Sequence, residues 1–257
     1  WTGLARMGAE LTVARVARQH VCVIFSRAGA DTQALMRMAR RAAKAGTGVE
    51  VLLLDFGRAD PVLGEIADGV PLKRFWREAP RGGGGAEPLP PDAGLTPGPM
   101  PGTRGGEWRS GYYRDGLPVL AMSVRNGITV VDHFDSSGVP VRHDDIDERG
   151  RWVRTVDLDP VTRRETNYRY LDSDGACWLS VWVDPRDGSL GRAVQHRPVE
   201  REFGDLREAQ VDWVAEELRG IERPRVLVFG TGARRIVDLL SRAAAAATTD
   251  EESLPLP

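Results

Sequence analysis

The sequence predicts an α/β chain whose parallel sheet is interrupted by a long antiparallel β-meander. Turn signals recur at Arg114-Asp115-Gly116, Arg125-Asn126-Gly127, Ser137-Gly138, Arg149-Gly150, Asp174-Gly175 and Asp187-Gly188, with a glycine-free turn at Asp159-Pro160-Val161-Thr162-Arg163. Successive turns lie 11 to 13 residues apart, which leaves room for one strand between each pair. Glycine and asparagine accept the positive φ of tight hairpins, so the spacing marks an up-and-down chain. The apolar runs 20–25, 49–54 and 226–229 lie outside this ladder and read as strands covered on both faces.

Taken in order, residues 4–18 carry Leu4, Met7, Leu11 and Ala14 on one helical stripe. The strand from His20 to Phe25 comes next, and Asp31 or Thr32 is placed to cap the following helix. In that helix Ala34, Leu35, Met38, Ala39 and Ala42 form the apolar side, and Gly46 ends it. The strand 49–54 completes a right-handed parallel strand–helix–strand unit. A short helix is expected around Pro61 to Asp68, and a further segment from Val70 to Trp76. Arg81 to Gly106 is dominated by glycine and proline and reads as a linker. Beyond the meander, Leu206, Ala209, Trp213, Val214 and Leu218 give helical periodicity over 205–219. Pro224 separates that helix from the strand 226–229, and Gly230-Thr231-Gly232 turns the chain into a last helix, 233–246. The expected organisation is an α/β domain from 1–80 and 198–247, a linker 81–110, an inserted meander 111–197 and a polar tail 248–257. Only three parallel strands are visible, so the α/β part reads as incomplete.

Composition narrows the function. A net charge of −2 over 257 residues argues against a general nucleic-acid binder. All but two of the 35 basic residues are arginine, the lysines being Lys44 and Lys73. Cys22 and Cys177 fall in strands of different domains and read as buried thiols of a reducing compartment. No run approaches the roughly 18 apolar residues of a membrane span. A cytoplasmic location is the expectation, as is a chain that forms part of something longer.

The meander faces carry their own message. In the strand 176–183, simple alternation puts Trp178 and Trp182 on one face and Cys177, Leu179, Val181 and Val183 on the other. In the strand 164–171, Tyr168 and Tyr170 share a face. A single sheet exposing such faces would leave a large apolar patch in water. Trp178, Trp182, Tyr168 and Tyr170 are therefore candidate interface residues, covered by the α/β domain, a second subunit or a partner protein.

Three stretches resemble one group of bacterial glycosyltransferases, the poly(glycerol-phosphate) α-glucosyltransferases and related enzymes or adaptors acting on serine-rich surface proteins. Gly29-Ala30-Asp31-Thr32-Gln33-Ala34-Leu35-Met36-Arg37, followed by Ala45-Gly46 and Val49-Glu50-Val51-Leu52, is similar to the family's Gly-Gly-Leu-Thr loop, first helix and second strand. Tyr170-Leu171-Asp172-Ser173-Asp174-Gly175 resembles its aromatic–Asp–x–Gly hairpins, and Phe203-Gly204-Asp205-Leu206-Arg207-Glu208-Ala209-Gln210 its sheet-exit helix. The resemblance implies a partial Rossmann-like parallel sheet, the N-terminal domain of a GT-B fold, with the meander inserted. It further implies the acceptor-side portion of a retaining hexosyltransferase that takes a sugar from a nucleotide-sugar donor and passes it to a polymer or protein acceptor. The donor domain is absent from this stretch, so the isolated chain is expected to be inactive. On this reading Gly29, Ala30 and Asp31 and the turn Gly230, Thr231, Gly232, Arg234 and Arg235 face the interdomain cleft. Two departures stand out: Ala30 replaces a loop glycine, and Gly230-Thr231-Gly232-Ala233-Arg234-Arg235 replaces an acidic turn. The alternative is a non-catalytic adaptor or oligomerisation module that binds a partner protein through the sheet.

Other constellations carry less. Glu200 and Glu208 have the spacing of a retaining GT-B donor pair, but in the family that pair belongs to the other domain. Gly230-Thr231-Gly232 lacks the third glycine of a dinucleotide fingerprint and reads first as a structural turn, although Arg234 and Arg235 suit an anionic ligand. His133, His143, Asp132, Asp135, Asp144 and Asp145 have no regular ligand spacing, so no metal site is expected, and no cofactor. No Ser-His-Asp or Cys-His signature is present.

Overall fold

The computed structural model describes residues 20–25, 32–56, 70–78, 94–101, 108–125, 128–147, 149–219, 221, 224–230 and 232–252. The expected helices at 4–18 and 61–68 lie outside these residues.

A four-stranded sheet is built from β1 (His20–Phe25), β2 (Gly48–Leu53), β3 (Leu72–Arg74) and β14 (Arg225–Phe229). Its order is β14-β1-β2-β3 with all pairs parallel. Three of these strands are visible as apolar runs in the sequence. The fourth, β3, is short and charged, and it survives there because Lys73 has partners. Its Nζ lies 2.6 Å from Glu50 of β2 and 2.5 Å from Glu217. That pairing also accounts for a glutamate buried in the apolar run 49–54. Helix α1 (Thr32–Lys44) packs on β2 and ends at Gly46, whose φ of +86 is costly for any other residue. β14, as an edge strand, is half exposed rather than covered on both faces, with Leu227 in water.

The second sheet has ten antiparallel strands in sequential order. They are β4 (Thr96–Pro101), β5 (Trp108–Arg114), β6 (Leu117–Arg125), β7 (Ile128–Phe134), β8 (Pro140–Ile146), β9 (Trp152–Leu158), β10 (Glu165–Leu171), β11 (Cys177–Val183), β12 (Leu190–Gln195) and β13 (Arg201–Phe203). Positive φ at Gly116, Gly138, Gly150, Gly175 and Gly188 places the turns where the sequence put them; Asn126-Gly127 lies outside the described residues. The sheet runs past the expected 111–197 at both ends. β4 occupies part of the stretch read as a linker, because its prolines fall at alternate positions of an edge strand, where no ladder donor is needed.

Two helices join the halves. Four-residue α2 (Phe75–Glu78) follows β3 directly, and α3 (Leu206–Leu218) follows β13. α3 touches β12, β13 and α4 (Ala233–Glu252). α4 continues into the expected tail, carried by the alanine run 243–247.

One core spans both sheets. Phe75 of α2 meets Trp178 at 5.3 Å, Trp213 of α3 at 5.7 Å and Tyr170 at 6.4 Å, each edge to face. Burial of each ring contributes on the order of 2–3 kcal/mol. Beside this cluster, Arg154 of β9 is buried between the rings of Phe56 (4.5 Å) and Tyr168 (4.7 Å) and donates two hydrogen bonds, 2.9 and 2.7 Å, to Asp145. Arg77 of α2 pairs with Asp147 at 3.0 Å.

Covering of the sheet face is thus internal for Trp178 (2 % exposed) and Tyr170 (3 %), which corrects their assignment as candidate interface residues. Tyr168 is half buried under Arg154 and donates to Glu165 at 2.5 Å, so it too is held within the chain. Only Trp182 stands out, 47 % exposed with Arg192 over its ring at 5.6 Å. The two tryptophans do not share a fate because the ladder slips. Leu171 pairs with Cys177 and Tyr170 with Leu179, leaving Trp178 as the extra residue of a bulge, free to turn toward the core. Cys177 is half buried rather than buried.

Candidate functional site

In an open α/β sheet, ligands bind beyond the carboxyl ends of the strands where strand order reverses. Here the chain builds outward from β1 through β2 to β3 and then returns to β1's other side as β14. The reversal therefore lies between β1 and β14, and the two strands end level, Phe25 opposite Phe229.

β14 leads into Gly230 (φ +99) and Gly232 (φ +80), conformations that disfavour any side chain, and then into α4. Arg234 and Arg235 occupy the first turn of α4, both exposed. The start of α3 is brought to the same place. Asp205 caps it, accepting from the Glu208 N–H at 3.1 Å, while the Glu208 carboxylate accepts from the Gly204 N–H at 2.7 Å. The second oxygen of Asp205 pairs with Arg235. Two helix N-termini are thereby tied together beside the strand ends, each with an arginine in its first turn. Past β2, Asp55 pairs with Arg207 at 3.1 Å and accepts from Gln210 Nε2 at 3.2 Å. Gln210, almost fully buried, also donates to the Leu54 carbonyl at 2.9 Å and accepts from Arg207 at 2.7 Å. Helix N-termini and arginines at one rim favour an anion such as a phosphate or diphosphate.

Among the residues expected at this cleft, Gly29, Ala30, Asp31 and Thr231 lie outside the described residues. Gly230, Gly232, Arg234 and Arg235 come together at the start of α4, and Arg235 is engaged by Asp205. Asp55, Arg207 and Gln210 were given no role from sequence. The available signals were an aspartate just past a buried strand and a glutamine, Gln210, set between the apolar Ala209 and Val211.

The remaining constellations resolve locally. Glu208 serves the helix cap, and Glu200 is exposed. His133 and His143 point to opposite faces, since Asp132, the neighbour of His133, is the one paired across from His143. His133 instead meets Asp144 at 2.6 Å. Burial raises the Asp144 pKa, but the hydrogen bond and charge of His133, with Arg142 and Thr155, outweigh it and hold the carboxyl below its usual range. Among the described residues, no group of three or more His, Cys, Asp or Glu is arranged to hold a metal ion. Burial, aided by Glu50, pushes the Cys22 thiol up to about 12, so it is a poor nucleophile. No described helix is long and apolar enough to cross a membrane.

No protein-family model matches the chain, and no curated protein matches it. Solved structures do. The Gap123 glycosylation-associated complex of Streptococcus agalactiae superposes with a TM-score of 0.62 at 10 % identity, over 82 % of this chain and 47 % of that one. A variant of TarM from S. aureus, in complex with fondaparinux, α-GlcNAc-glycerol and UDP, gives 0.58 at 9 %, over 86 % and 48 %. The GtfA/B complex bound to UDP and GlcNAc gives 0.56 at 13 %, over 87 % and 47 %. The chain shares their fold. It spans just under half the length of each. These neighbours belong to the group of glycosyltransferases and related proteins that the sequence motifs resemble.

Proposed function

We propose that this chain is the acceptor-side portion of a GT-B-like hexosyltransferase, in which a nucleotide-sugar donor is held by a part of the protein outside this sequence. One observation carries the reading: a parallel sheet interrupted by a long antiparallel sheet, superposing on about half of TarM and GtfA/B at TM-scores above 0.5. Those two structures hold UDP. The crevice beyond β1 and β14 is where such a fold binds ligands, and its rim suits a diphosphate. Gly230, Gly232, Arg234 and Arg235 after β14 take the acceptor-side role, and Gly29, Ala30, Asp31 and Thr231, outside the described residues, carry it from the sequence resemblance alone. The arginines and helix N-termini stabilise charge that develops as the nucleoside diphosphate leaves, and the loops position the acceptor hydroxyl. The acceptor is a polymer or a protein, with transfer retaining configuration, and a nucleotide-sugar donor fits a cytoplasmic location. The adaptor reading is weaker, since Trp178 and Tyr170, offered for a partner, are occupied within the chain.

The test compares the product of the complete reading frame with this chain alone, using labelled UDP-hexose and polyol-phosphate or peptide acceptors. The complete protein transfers label. Arg234→Ala with Arg235→Ala lowers kcat/KM by about tenfold or more, the scale of losing charge stabilisation at a leaving group. This chain alone transfers none. Efficient turnover by the chain alone contradicts the proposal, as does a complete protein that neither binds UDP nor transfers sugar.

A further inference from the structure

Ten-stranded β4–β13 has two edges, and an open edge is a template for adding another strand. In an antiparallel ladder, residues alternate between those that hydrogen-bond one neighbour and those directed away from it. β4 reads Thr96-Pro97-Gly98-Pro99-Met100-Pro101 and, among the described residues, pairs only with β5. Prolines 97, 99 and 101 have no N–H, so they hold the outward positions, while Thr96, Gly98 and Met100 face β5. The outward edge therefore offers carbonyls and no donors. Pro97 and Pro99 are exposed, so the edge reaches solvent at these positions.

The central carbonyl is already occupied. Tyr113 of β5 donates its hydroxyl to the Pro99 carbonyl oxygen at 3.0 Å. Its ring crosses the sheet to get there. A Cβ built on Gly98 would sit 3.3 Å from the ring, and one on Gly111 would sit 3.0 Å from both ring and hydroxyl. Glycine at these two cross-strand positions leaves the ring its path.

The far edge is closed differently. β13 has three residues, and Arg201 is clamped to Asp212 of α3 by bonds of 2.5 and 2.7 Å. A strand that short offers little ladder.

We infer that β4 is a built stop: alternate prolines with Tyr113 across Gly98 and Gly111 seal this edge against strand addition, including by a second copy of the chain. An incoming strand would turn its own carbonyls toward positions with no donor and leave them unsatisfied.

The test restores the missing donors. Pro97→Val with Pro99→Val returns two outward N–H groups in a residue that favours strands, and Tyr113→Phe releases the Pro99 carbonyl. Sedimentation velocity across a hundredfold concentration range, with infrared amide I spectra, reads the result. The triple variant gains concentration-dependent association and an intermolecular β signal, while the parent has no contact through this edge. If the triple variant loses the parent circular dichroism spectrum, Pro97→Val alone is read in the same way. A folded variant that associates no more than the parent overturns the inference. So does a parent that cross-links to itself through cysteines placed on β4.

Discussion

The junction between the two sheets depends on Arg154, and Arg154→Met tests how much. Asp145 is fully buried, and its partner Arg154 is 9 % exposed. The methionine matches the length of the arginine stem but leaves the Asp145 carboxylate buried without its two hydrogen bonds, 2.9 and 2.7 Å. Breaking a buried pair from one side costs about 3–5 kcal/mol. Loss of the stacked guanidinium between Phe56 and Tyr168 adds about 0.5–2 kcal/mol. A fall of roughly 4–7 kcal/mol is expected, a large part of the stability of a typical domain. Urea unfolding followed by circular dichroism and tryptophan fluorescence measures it, with m unchanged if the native state keeps its compactness. Arg154→Lys keeps the charge but loses the planar fork, and falls between. Asp145→Leu combined with Arg154→Met removes both charges and recovers most of the loss. A single-variant cost under about 1 kcal/mol, or a double variant whose cost is the sum of the two singles, refutes the idea that this cross-strand pair of β8 and β9 holds Arg154 in place against Phe56.

The remaining predictions concern the tryptophans and one carboxylate. Trp178→Ala empties the bulge pocket against Phe75 and lowers stability by about 3–5 kcal/mol, whereas Trp182→Ala, at an exposed position, costs under about 1 kcal/mol; urea midpoints separate them. Equal effects would sink the account of the bulge. Asp144 has a depressed native pKa, so its stabilisation is fully present above the unfolded value of about 4 and is lost as pH falls through the native one. Asp144→Asn therefore flattens the acid limb of a stability–pH curve.

Much of the fold was legible because it is punctuated locally. Hairpin turns need positive φ, so Gly116, Gly138, Gly150, Gly175 and Gly188 declare themselves without reference to anything distant. Apolar runs did the same for β1 and β2. The errors arose where a distant partner decides the outcome. Glycine and proline composition said linker over 94–101, yet strand pairing to β5 makes alternate prolines acceptable. β3 is three residues with a lysine at its centre, and only Glu50 and Glu217, far apart in sequence, make it a strand worth forming.

The site divides along the same line. The turn after β14 was readable, because a strand, two glycines and a helix start are consecutive. Asp55, Arg207 and Gln210 were not, since their roles come from 152 to 156 residues of separation closed by the sheet order. The bulge at Trp178 makes the point most sharply. Period-two alternation assigned Trp178 and Trp182 to one face, and a single unpaired residue was enough to send one indole into the core and leave the other in water. A partner seeking this sheet through aromatic contact finds Trp182 under Arg192, not the cluster around Phe75, and disrupting that cluster would weaken the fold before it altered any encounter.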